Sequence, residues 1–334
     1  MKQAIGDGTQ APEELRPLYR LIRAELDSVE AMLREELRSE FPFVDRLVQH
    51  GFRLGGKRLR PALVLLSGKA CGPLKPGHGV LAAVVELIHT ATLIHDDVLD
   101  EATLRRHLET VNARWDNEAS VLLGDYLFAR AMCLAATLDD IYVCRVLAHA
   151  TKQMCEGELR QVGSRGDYDL AEEEYLGIIG DKTAALCACA CRLGAYWAGA
   201  DEGLQQTLAD YGHHLGIAFQ ITDDVLDVNG NEDLTGKSLG TDLVKQKPTL
   251  PVIRLLREVR GEERSELLGL LGRTDGQARE ALRPWLERWD AVAYAEETAR
   301  GYSLRAENAL KEVPAGPARQ ALAHLAEFVV ARRQ

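Results

Sequence analysis

HGVLAAVVELIHTATLIHDDVLD, residues 78–100, decides how this chain is read. Residues 78–95 are apolar almost all round, which predicts a helix buried by neighbours on every side. The stretch then ends on three carboxylates in five residues. The same word, DDVLD, returns at 223–227 after a second greasy run, LGIAFQIT at 215–222. On a helix Asp96 and Asp100 share one face a turn apart, with Asp97 beside them, and Asp223, Asp224 and Asp227 repeat the arrangement. Like charges this close repel, so buried helices keep two such clusters only if cations hold them. A single copy fits a solvated helix end equally well. Two copies favour the facing walls of one negative cavity mouth. Oxygen-only donors with no cysteine nearby point to a hard ion, and Mg²⁺ fits, because it completes its shell with water and phosphate.

Phosphate groups should leave a basic signature, and the chain carries one. GGKRLRP at 55–61 sets two glycines before Lys57, Arg58 and Arg60, so that backbone and forked donors can approach an anion. Arg105 and Arg106 follow the first acid cluster; Lys237, Lys245 and Lys247 follow the second. GDKT at 180–183 adds Lys182 and Thr183. Singly, each basic group fits a solvated surface. Together with the acid clusters they describe a site for two diphosphates, one bridged by metal and one held by Lys and Arg. His89 lies seven residues before Asp96 on the same face, which suits either a satisfied core histidine or a substrate contact.

Nearly everything else reads as helix. Residues 13–38 space leucines at helical intervals, with Pro17 in the first turn. Similar runs occupy 118–138, 141–162, 172–198, 203–228 and 248–260. No sustained strand alternation occurs. The breakers, at 71–79, 165–169, 228–240 and 313–319, are too short to be domain linkers. The expectation is one all-α domain over 13–334, preceded by a polar, disordered segment at 1–12.

The 334 residues carry a formal net charge of −11, which argues against a nucleic-acid binder. No apolar run is expected to reach bilayer-crossing length, and the start lacks the apolar core of a signal peptide, so the expected location is the cytoplasm. Seven cysteines include a CxCxC at Cys187, Cys189 and Cys191 within TAALCACACRLGAY, which reads as a small-residue helix in a reducing compartment rather than a metal knuckle.

Taken in order, GGKRLRP, LIHTATLIHDDVLD, RR, VNARW, LLGDYLFARA, GDKTA, FQITDDVLD and GKSLGTDLVKQKPTLP resemble the trans-isoprenyl diphosphate synthases, or polyprenyl synthetases. The resemblance implies a single-domain, isoprenoid-synthase-type helical bundle around a central cavity, working as a homodimer. It implies isopentenyl diphosphate held by Lys57, Arg60, His89 and Arg106. It further implies Mg²⁺, three ions with substrate bound, ligated by Asp96, Asp100 and Asp223 with support from Asp97, Asp224 and Asp227. The allylic diphosphate would then be held by Arg105, Lys182, Thr183, Gln220, Lys237 and Lys247. One departure stands out: the family usually has a glycine after its two arginines, and here His107 opens HLET.

A prenyl tail growing along 78–95 would pass Ala91, five positions and about 7.5 Å from Asp96. Where the family limits chain length it places an aromatic there; Ala91 blocks little, and Ile88, Leu87 and Val84 lie deeper. A long-chain product is expected, released with peripheral membrane contact. Two alternatives remain. A terpene cyclase also ionises a diphosphate, but lacks GGKRLRP and mixes Asn, Ser or Thr with Glu in its second motif. A length-controlling partner subunit of a two-component synthase usually loses its acid clusters.

Overall fold

The computed structural model describes residues 15–53, 56–230, 240–273 and 278–331. The expected disorder of 1–12 and the basic residue Lys237 lie outside them. The periodic runs close into helices at the expected places. After α1 (Arg16–Tyr19), with Pro17 in its first turn, come α2 (Arg23–Glu36), α3 (Pro42–Arg53), α4 (Leu59–Cys71) and α5 (Pro76–Leu99). Then follow α6 (Val111–Arg114), α7 (Asn117–Ala136), α8 (Ile141–Gly163), α9 (Glu172–Ile179), α10 (Ala185–Ala198) and α11 (Glu202–Asn229). The C-terminal part holds α12 (Thr241–Val244), α13 (Leu250–Glu258), α14 (Gly261–Leu271), α15 (Ala278–Arg288), α16 (Ala291–Ala309) and α17 (Pro317–Ala331). Aspartates start the long helices: Asp116, Asp140 and Asp201 each accept from a backbone N–H in the first turn of α7, α8 and α11.

α5 packs against α2, α4 and α7, while α10 lies between α4 and α11, and α11 rests on α16. Small residues make the α10 contacts possible. A methyl group at Gly194 would fall 2.2 Å from the Val64 carbonyl oxygen of α4, and one at Gly212 2.5 Å from the Cys187 carbonyl oxygen. Cys187, Cys189 and Cys191 are free and buried in that seam, as small apolar side chains, and burial raises all three thiol pKa values.

Both DDVLD words stand at helix C-termini: Asp100 ends α5, and Asp223–Asp227 occupy the last turns of α11. A helix C-terminus carries a partial negative charge, so these carboxylates sit where their own helices disfavour them.

Two features depart from expectation. A hairpin, β1 (Leu104–Arg105) antiparallel to β2 (Leu108–Glu109), stands between α5 and α6. And α5 and α7 are each long and apolar enough to cross a membrane by length and composition, contrary to the sequence expectation. In α5, 72% of that apolar window is buried inside the protein, so its length serves the core.

Candidate active site

One cavity of about 890 Å³ is bounded by the ends of α5 and α11, the start of α4, the hairpin, the middle of α8 and the segment before α13. All six aspartates line it, together with Lys57, Arg60, His89, Arg105, Arg106, Lys182, Thr183, Gln220 and Lys247. These residues come from stretches far apart in sequence, and the bundle brings them to one place.

Two polar chains cross the cavity from one acid cluster to the other. On one side the Lys247 ammonium donates to Asp100 at 2.7 Å and lies 3.6 Å from Asp242, whose backbone N–H donates to Asp227 at 3.2 Å. On the other, Lys182 lies 4.0 Å from Asp96, and its neighbour Thr183 donates to Gln220 at 2.8 Å; Gln220 in turn donates to Asp224 at 2.8 Å. Lys182 and Thr183 stand in a π-helical turn, Gly180–Ala184, between α9 and α10, a local rewinding common at functional sites.

The six aspartates do not share one role. Asp96 faces the cavity, and burial pushes its pKa up to about 6, with Glu158 and Asp100 adding repulsion and Lys182 opposing it. Asp97 is almost wholly buried and takes both Nε and an Nη of Arg105 at 2.8 Å on one oxygen. The pair ties the hairpin to α5, and Thr110 and Asn112 reinforce the tie by donating to the Ala102 carbonyl. Asp224 is buried, and its oxygens accept from Tyr175 at 2.7 Å and Gln220; burial, then Asp242, push its pKa up to about 8. Asp227 accepts from Thr241 and the start of α12.

The basic end lies across the cavity. His89 has its pKa driven well below the ordinary value by burial and by Arg60, Arg106, Arg105 and Arg58, so it stands neutral. Lys57 sits 5.7 Å from the ring centre of Phe328 on α17. Arg58, in contrast, has a left-handed backbone (φ 53°) and turns to Glu30 and Glu86. Arg106 (φ 52°) and His107 (φ 62°) form the two-residue turn of the hairpin, both left-handed, as a type I′ turn requires. The histidine in the glycine position thus keeps the tight turn, at a cost of about 1 kcal/mol. A methyl group at Gly56 would fall 2.6 Å from the Arg106 guanidinium, so a larger residue there would displace that side chain.

The expected chain-length residues lie on the buried part of α5. Val84, Leu87, Ile88 and Ala91 are packed in the core, and none lines the cavity. Before the acid cluster, α5 lines the cavity with His89, Thr92, Leu93 and His95, and α8 lines it with Thr151, Met154, Cys155, Glu158, Leu159 and Gln161. Sequence reasoning also missed Glu158, Gln161, Tyr175 and Asp242. Glu158 and Gln161, three apart in EGELRQ, were the available signal.

The donors fit Mg²⁺ by their chemistry. Asp96, Asp100 and Asp223 offer hard carboxylate oxygens on facing walls. Mg²⁺ takes one or two carboxylates and completes its shell with water and phosphate, which these donors could supply; among the described residues no three acidic, histidine or cysteine side chains are gathered as a ready-made metal site.

Comparison with known proteins gives the same direction. The family model described as polyprenyl synthetase matches residues 42–287. The chain belongs to that family. This polyprenyl synthetase is a prenyltransferase by membership. It is 36% identical over 321 residues to the octaprenyl diphosphate synthase of Escherichia coli (strain K12), covering 95% of this chain and 99% of that one. It also matches the crystal structure of a decaprenyl diphosphate synthase from Rhodobacter capsulatus, with a TM-score of 0.89 and 38% identity over 95% of this chain and 99% of that one. A polyprenyl synthase from Caulobacter crescentus CB15, complexed with calcium and isoprenyl diphosphate, matches with a TM-score of 0.91 and 36% identity, over 97% and 99% of the two chains.

Proposed function

We propose that this synthetase condenses isopentenyl diphosphate with an allylic diphosphate to build an all-trans, long-chain polyprenyl diphosphate. The observation that carries the reading is the pair of DDVLD walls joined by Lys182, Thr183 and Lys247 across a single cavity. In this reading Lys182, Thr183, Gln220 and Lys247 hold the allylic diphosphate, and Asp96, Asp100 and Asp223 hold Mg²⁺. Mg²⁺, when bound, supplies positive charge to the departing diphosphate. The lysines add donors aimed at the same oxygens in a partly dry site, where they are worth most. Lys57, Arg60, neutral His89 and Arg106 bind isopentenyl diphosphate opposite, setting its double bond against the allylic carbon. Thr92, Leu93, Met154 and Phe219 keep water from the cation. The released diphosphate is the nearest base for the final proton.

Ala91, Thr92 and Leu93, ahead of the acid cluster, carry no aromatic ring, which supports a long product. A homodimer is supported by exposed Val121, Leu122, Ile141 and Val162 on α7 and α8, apolar surface that a second copy would cover. Both acid clusters are intact, which favours a catalyst over a length-controlling subunit, and the cytoplasm is the proposed location. Incubating the purified chain with labelled isopentenyl diphosphate, Mg²⁺ and separate allylic primers tests the reading. Elongated diphosphates of six or more isoprene units, by the chain alone, are expected. Unused isopentenyl diphosphate would count against it.

A further inference from the structure

We infer that Glu158, on α8, is the positioning residue that sets Lys182 at the edge of the first acid cluster. This rests on the reading of Lys182 as a diphosphate ligand and deepens it. Glu158 is three-quarters or more buried, forms an ion pair with the Lys182 ammonium, and lines the cavity. Gln161, one turn on, accepts from the same ammonium at 2.8 Å. Burial alone would lower the Lys182 pKa; Asp96 and Glu158 outweigh it, so the ammonium stays charged.

The main chain is gripped at the same point. A methyl group at Gly157 would fall 2.4 Å from the Lys182 backbone nitrogen, and one at Gly216 of α11 would fall 2.5 Å from the Ala184 Cα. The π-helical turn is therefore wedged between α8 and α11 by backbone contact on both flanks. With the backbone fixed, the long, flexible lysine stem still has freedom. Glu158 and Gln161 remove it, holding the ammonium 4.0 Å from Asp96 rather than letting it stray into the negative mouth. Pre-set donors cost no reorganisation when charge develops on the diphosphate.

The test is a double-mutant cycle read by steady-state kinetics. Glu158→Ala should lower kcat/KM for the allylic diphosphate by about 100-fold, the usual consequence of a displaced catalytic group. The KM for isopentenyl diphosphate should stay within about twofold, because Lys57 and Arg60 are untouched. Glu158→Gln, which keeps a hydrogen-bond acceptor, should recover most of the loss. In a Lys182→Gln background Glu158→Ala should add nothing further. Independent, multiplying losses from the two changes would overturn the inference, as would a Glu158→Gln variant that melts like the parent yet is no better than Glu158→Ala. If Lys182→Gln alone has no effect, the parent reading of Lys182 fails. If Lys182→Gln is damaging and Glu158→Ala harmless, only the role of Glu158 fails.

Discussion

Asp96 and Asp97 are neighbours in sequence with opposite fates. Asp96 opens to the cavity, while Asp97 spends its charge on Arg105. Asp96→Asn should therefore lower kcat by about 100-fold or more while leaving the thermal midpoint near the parent's. Asp97→Ala should instead cost up to about 3 kcal/mol of stability, since it leaves Arg105 without its partner in a largely buried position. Denaturant titration of the two variants checks both. The repeated DDVLD made the shared face of Asp96 and Asp100 legible, because helical spacing is a property of one chain segment. It could not show that Asp97 and Asp224 turn aside, since their partners, Arg105 and Tyr175, arrive from other elements.

At the scale of the element, α5 was readable in extent and burial but not in orientation. An almost all-round apolar pattern marks a buried helix; only the packing of α2, α4 and α7 says which part of it is left to border the cavity. The consequence is testable with two substitutions one residue apart. Thr92→Phe, on the cavity wall, should shorten the products without a large loss of stability. Ala91→Phe, in the packed core, should cost about 1–3 kcal/mol through overpacking and change product length less. Product sizing alongside thermal melts separates them; equal shortening by both would mean that the tail runs along the Ala91 side. The hairpin at 104–109 was missed for a simple reason. Strands of two residues carry no alternation, and its turn residues, Arg106 and His107, are not the glycine and asparagine that usually betray a type I′ turn.

At the scale of the whole molecule, buried and half-buried histidines should make the fold acid-sensitive. His50, His78, His89, His213 and His214 all have pKa values lowered, with burial the largest cause. In the unfolded chain each takes up a proton near 6.5, and in the folded chain only at lower pH. The unfolded state then binds more protons, so their contribution is intact above 6.5 and is lost as pH falls below it. Asp224 works the other way between 3.8 and about 8, so the effect is best read as a difference. His50 bridges α3 to the Glu109 carbonyl of the hairpin, and Arg114 donates to its other nitrogen. A His50→Gln variant should lose less stability than the parent between pH 7 and pH 5.5, measured by thermal melts at each pH. An unchanged slope would mean that His50 does not carry this share.

Two carboxylate walls acting as one metal–diphosphate grip are the centre of the proposed chemistry. Titration calorimetry with a non-ionising thio-substituted allylic diphosphate, with and without Mg²⁺, tests this most directly. The parent chain should bind the analogue only when Mg²⁺ is present, and the combined Asp96→Asn, Asp223→Asn variant should lose that Mg²⁺-dependent binding while folding normally. Equal affinity in the two proteins, or tight binding indifferent to Mg²⁺, would contradict it.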